Sequence, residues 1–144
     1  DLHPPIDRFR QVLQNQTSMK SLKADTAESP LMSDLIRPVQ ADVPPVHGAP
    51  PADDVLSGDP QFTSWQLEDV DGPRCGLWQC TPGSWTMTYD VWEYVRILEG
   101  HAVITPEGGA PVDLRAGDSY ILRPGLVCTW DVRETVLKDF VIRA

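Results

Sequence analysis

Two charged residues stand in stretches that otherwise read as buried strands. Glu93 interrupts YDVWEYVRILEG (89–100) and Lys138 interrupts TVLKDFVIR (135–143). Strand alternation puts Met87, Tyr89, Val91, Glu93, Val95 and Ile97 on one face, and Val136, Lys138, Phe140 and Ile142 on one face of a second strand. A carboxylate or an ammonium among such neighbours is costly unless it is paired, so the two are expected to meet. Lys138 is the only lysine after residue 23, and Arg96 and Arg123 are the other cations within reach of this reading. Paired in a dry pocket, Glu93 and Lys138 would serve as acid and base, or Lys138 as an amine nucleophile. The competing role is an ion pair that fixes packing, and the two roles stand about even.

Around this pair lie fewer reactive groups than aromatic ones. Cys128 is either a thiol activated by a nearby cation or a small buried apolar residue, and the second is the commoner use of a lone strand cysteine. Cys75 and Cys80 lack the two further ligands a zinc pair would need. Tyr89 and Trp130 offer faces on which a planar ligand would stack. Trp65, Trp78, Trp85, Trp92, Tyr94 and Tyr120 read as core or interface, with Trp92 and Tyr94 turned away from Glu93 toward a dimer partner. His101 reads as a surface strand residue. The sequence holds no glycine-rich phosphate loop and no serine nucleophile elbow.

The elements that must position these residues follow from composition and punctuation. The chain has 144 residues, 41% hydrophobic and 23% charged, enough for one domain with its own core. A net charge of −9 and the absence of a basic cluster argue against nucleic acid. No apolar run reaches the length of a membrane span, and no basic-then-apolar leader opens the chain. Three cysteines are too few for a disulfide framework, and free thiols in a reducing, cytoplasmic compartment are expected.

Proline divides the chain. Residues 38–60 are rich in Pro, Asp and Ala and cannot sustain a helix. Before them, Phe9, Val12 and Leu13 have weak helical spacing; residues 1–52 are expected to form an extension with little regular structure, and Met32 is a candidate natural start. From Phe62 onward, short runs rich in Trp, Tyr, Val, Ile and Thr alternate with turns: FTSWQLED, CGLWQCT, SWTMTYD, EYVRILEG, HAVITPE, PVDLRA, SYILRP, VCTWDV and TVLKDFVIR. The turns between them are VDGPR, TPGS, PEGGAP, RAGD, RPGL and DVRE, and the series predicts an all-β sandwich or barrel from Phe62 onward, with a small barrel favoured because closure leaves no unpaired edge.

The order LEG, AGD, RPG, CTW in residues 53–144 resembles the cupin fold, a double-stranded β-helix, and within it the small single-domain cupins related to ureidoglycine aminohydrolase. The pieces that carry the resemblance are GDPQFTSW, GLWQCTPGSW, YDVWEYVRILEG, AGDSYILRPG and CTWDVRETVLKDFVI. The resemblance implies a jelly-roll barrel, a homodimer, and a metal motif whose glutamate and glycine fall on Glu93 and Gly100. The motif's histidine positions then fall on Met87 and Tyr89, or on Thr86 and Thr88, and its later histidine on Cys128; none of these is a nitrogen ligand. Arg123 stands where proline is usual.

Metal is therefore not expected, and no other cofactor is. The reading is a metal-independent cupin whose pocket of Tyr89, Glu93, Arg123, Cys128, Trp130 and Lys138 holds a small polar molecule. Its alternatives are a metal-dependent aminohydrolase and a structural module with a filled barrel.

Overall fold

The computed structural model describes residues 29, 31–69 and 71–144. The weak helical spacing at Phe9, Val12 and Leu13 lies outside these residues. Nine strands are present among them: β1 (Val46–Gly48), β2 (Val55–Gly58), β3 (Phe62–Asp69), β4 (Arg74–Cys80), β5 (Gly83–Thr88), β6 (Trp92–Pro106), β7 (Val112–Arg115), β8 (Ser119–Leu122) and β9 (Val127–Arg143). Short 3-10 turns at Met32–Leu35 and Ala52–Asp54 are the helical elements of the described chain.

Every pairing is antiparallel, and the long strands β6 and β9 organise the rest. The first part of β9 pairs with β5 and with the end of β6; the second part pairs with β4 and with the start of β6. Each long strand thus serves two layers, β1-β3-β4-β9-β6-β8 and β2-β5-β9-β6-β7, and the sheet curls into a jelly roll. The layers meet on Trp78, Trp85, Trp130, Val95, Ile97, Leu114, Val136 and Phe140, all within one buried cluster.

Two expected breaks are not there. EYVRILEG and HAVITPE form the single strand β6, and VCTWDV and TVLKDFVIR form β9. What reads as a turn at Glu99 and Gly100 is a bend inside β6, with register shifts between Ile97 and Ala102. Gly100 has φ +87°, and a β-carbon there would strike the Thr135 carbonyl of β9, so the bend requires glycine. DVRE likewise continues the ladder. The extension is also less irregular than its prolines suggest, because β1 pairs with β3 through Val46–Ser64 and Gly48–Phe62.

Candidate functional site

Glu93 and Lys138 are brought together. Lys138 donates from Nζ to Glu93 Oε1 at 3.1 Å; Glu93 is 3% exposed and Lys138 4%. They come from neighbouring strands by different registers: Glu93 stands opposite Ile142 and Lys138 opposite Ile97. Both project from the inner face, as alternation requires. The ammonium also lies 4.4 Å from the Trp78 ring centroid and 5.0 Å from that of Trp130, a cation–π arrangement on two indoles. Of its three N–H donors one is spent on Glu93, and the remainder sit among these rings.

The aromatic surround is continuous. Trp85 stacks on Trp130 with planes 8° apart, Trp78 meets Trp130 at 5.8 Å, and Phe62 meets both Trp78 and Trp85. Trp130 donates from Nε1 to the Tyr89 hydroxyl at 2.9 Å, holding the ring in place. Burial, then the charge of Glu93, pushes the Tyr89 hydroxyl well above its ordinary 10.0, so it stays protonated.

Cys128 is buried, and burial pushes its thiol up to about 11. Cys80 is pushed up to about 12 chiefly by burial, with the charge of Lys138 acting the other way. Neither is an activated nucleophile, and the apolar role expected of Cys128 fits its surroundings.

Two expectations about position need correction. Arg123 lies exposed in the turn between β8 and β9, away from the buried group, because the chain leaves the sheet there for Gly125 at φ +95°. His101 is on the outer face but only 8% exposed, and its Nε2 lies 2.7 Å from Asp113 Oδ1 on the adjacent β7. That contact lowers the Asp113 carboxyl below its ordinary 3.8. His101 is therefore partnered and covered, where strand alternation alone suggests an open side chain.

Trp78, read as core or interface, is core and belongs beside the pair, and Gln66 is missed by looking only for reactive types. Trp78 enters because β4 pairs with β9 so that Trp78 stands opposite Lys138. Gln66 enters because Phe62, Ser64 and Gln66 alternate on the inner face of β3; it is 4% exposed. A polar residue on a face that begins with Phe62 is the signal that would have found it.

The donor set does not fit a metal. Among the described residues no group of three or more His, Cys, Asp or Glu side chains converges. Glu93 already answers an ammonium, His101 points elsewhere, and a cation beside Lys138 would be repelled.

Residues 67–140 match the family model described as the EutQ-like cupin domain. No curated protein matches the chain. Among solved structures, a protein of unknown function from Pseudomonas syringae pv. tomato aligns at TM-score 0.65 with 23% identity, over 72% of this chain and 46% of that one. Clostridium difficile EutQ aligns at TM-score 0.53 with 15% identity, over 58% of this chain and 63% of that one. A putative ethanolamine utilization protein Q from Salmonella typhimurium aligns at TM-score 0.54 with 20% identity, over 66% of this chain and 77% of that one. The chain spans less than two thirds of the first two. At these identities the likeness concerns the fold.

Proposed function

Because the chain belongs to the EutQ-like cupin domain family, we propose that it is a metal-independent cupin that holds a small polar molecule inside its barrel, anchored by Lys138 and Glu93. The observation that carries this reading is the buried Lys138–Glu93 pair at 3.1 Å, roofed by Trp78 and Trp130. A barrel that needed only to be filled would be as stable, or about 1–4 kcal/mol more stable, with apolar side chains at both positions. The ammonium keeps N–H donors for an oxygen of the ligand, and the indoles of Trp78 and Trp130 and the ring of Tyr89 supply faces for its apolar part. In this reading Glu93 orients Lys138 through the 3.1 Å contact, and Cys128 packs the wall.

The aminohydrolase alternative requires a convergent metal set, which the donors among the described residues do not form. A homodimer covering the half-buried Trp92 and Tyr94, in a reducing cytoplasm that keeps the three cysteines out of disulfides, belongs to the same proposal.

A thermal-shift screen of small amino acids, hydroxy acids, amines and amides tests the ligand reading. It compares the natural protein with the double variant Glu93→Leu/Lys138→Met, checked for folding by circular dichroism. Saturable stabilisation of the natural protein that vanishes in the folded variant supports it. No hit in any class, or equal shifts in both proteins, overturns it in favour of a filled barrel.

A further inference from the structure

Among the described residues, three buried side-chain atoms have no hydrogen-bond partner: both amide atoms of Gln66 and Nε1 of Trp78. Such groups in a protein interior are rare and costly, and each calls for an explanation. These two residues are not scattered. β3 and β4 pair with Ser64 opposite Trp78 and Gln66 opposite Gly76, so Gln66 and Trp78 are diagonal neighbours on the inner face.

Gly76 is glycine because the backbone of β3 passes too close for a β-carbon, meeting the Trp65 carbonyl. As a result, the residue facing Gln66 brings no side chain to satisfy its amide. Next in the row across the sheet comes Phe140, which has no polar atom to offer.

We propose that Gln66 and Trp78 form the second polar end of the barrel site and recognise a primary carboxamide group on the ligand. The chemistry of the unpaired atoms selects this group. Gln66 presents one acceptor oxygen beside N–H donors, and Trp78 adds another donor. A primary carboxamide closes a two-bond ring with the Gln66 amide, donating to Oε1 and accepting from Nε2. The second lone pair of its oxygen takes the Trp78 indole hydrogen.

A carboxylate would set an anion against Gln66 Oε1, and an alkylammonium would leave both donors unanswered. Exchanging the oxygen and nitrogen of Gln66 leaves the same demand. The Trp78 ring joins this end to the other, since its face lies 4.4 Å from Lys138 Nζ. The assignment rests on the ligand-binding reading above and specifies which group the ligand carries.

Titration of the 15N-labelled protein with acetamide tests it. The Trp78 indole resonance is assigned with Trp78→Phe and the Gln66 side-chain amide with Gln66→Met. Saturable shifts of both resonances are expected, with binding weakened about tenfold or more by Gln66→Met and for N,N-dimethylacetamide, as the loss of one or two hydrogen bonds requires. Gln66→Met removes a buried unpaired group, so it should fold and be at least as stable as the natural protein.

Unmoved resonances, equal responses to acetamide and N,N-dimethylacetamide, or water contacts at both groups with no acetamide response overturn the assignment. The last result would mean a buried water only. If the assignment fails while ligands dependent on Glu93 and Lys138 still bind, the carboxamide end alone is wrong. If those are absent too, both readings fall.

Discussion

Two ion pairs join β6 to β9, one on each face, and they could hardly be more differently placed. Outside, Arg96 stands directly opposite Asp139, and its Nη2 and Nε both donate to Asp139 Oδ2, at 2.8 and 3.1 Å. Inside, the next residue along β9 is Lys138, whose ammonium meets Glu93 at 3.1 Å. The Arg96 side chain is 53% exposed; those of Lys138 and Glu93 are 5% and 4% exposed. Geometry alone would rank the outer pair first, since it has the shorter contact and two bonds. Solvent reverses the ranking of what is lost when one partner is removed. Water reaches the Asp139 side chain, 15% exposed, once Arg96 is cut back from it, whereas an abandoned Glu93 or Lys138 remains in the barrel interior without compensation.

The sharpest way to break this comparison is to cut the inner pair on one side only. Glu93→Ala or Lys138→Met should cost about 3–5 kcal/mol, read from denaturant unfolding. The double variant Glu93→Leu/Lys138→Met should recover most of that loss. If the single variants cost no more than their outer counterparts, the interior is wetter than its burial indicates.

Tyr89→Phe comes next. It strands the buried indole hydrogen of Trp130 and should cost about 1–3 kcal/mol in the same experiment.

Alkali probes the dryness of the interior without touching the pair. The Cys128 and Cys80 thiols are raised from 9.0 to about 11 and about 12, chiefly by burial. The folded protein therefore holds these protons after the unfolded chain has begun to release them. Their contribution is fully present below pH 9.0 and is lost as pH rises through about 11 and about 12. Unfolding measured along that range should show the decline, and Cys80→Ala and Cys128→Ala should each flatten it. In alkylation of the folded protein, half-buried Cys75 should react ahead of the other two.

On the outside the effects shrink. Arg96→Ala or Asp139→Ala should change stability by about 0–1 kcal/mol, and less in high salt. The smallest effect belongs to Asp113, an exposed carboxylate held below its ordinary 3.8 by His101. Its contribution is present above 3.8 and lost as pH falls through the lowered folded value, so Asp113→Asn should slightly flatten the acid limb of the stability curve.

Much of this fold is legible in the order of residues. FTSWQLED is β3 to the residue, and the turn around Gly108 and Gly109 joins β6 to β7. Glu93 and Lys138 could be paired on paper because alternation put each on an apolar face, and charges on such faces need partners. His101 defeated the same rule. Alternation gives its face, but cover comes from neighbours that period-two counting does not contain. Arg123 was misplaced because a sequence motif gives order along the chain and not the direction in which a turn leaves the sheet.

Residue order alone is enough for the all-β character from Phe62 onward, for the inner faces of its strands, and for the two charges that would have to be neutralised there. Those follow from local rules: period-two alternation, the conformational needs of glycine and proline, and the cost of bare charge in an apolar place. That β6 and β9 are single bent strands, that Trp78 and Trp130 roof the ammonium, and that Gln66 faces a glycine emerges only once the strands are assembled. Those depend on which strand lies beside which and in what register, and register is set by the packing of the whole barrel rather than by any one segment.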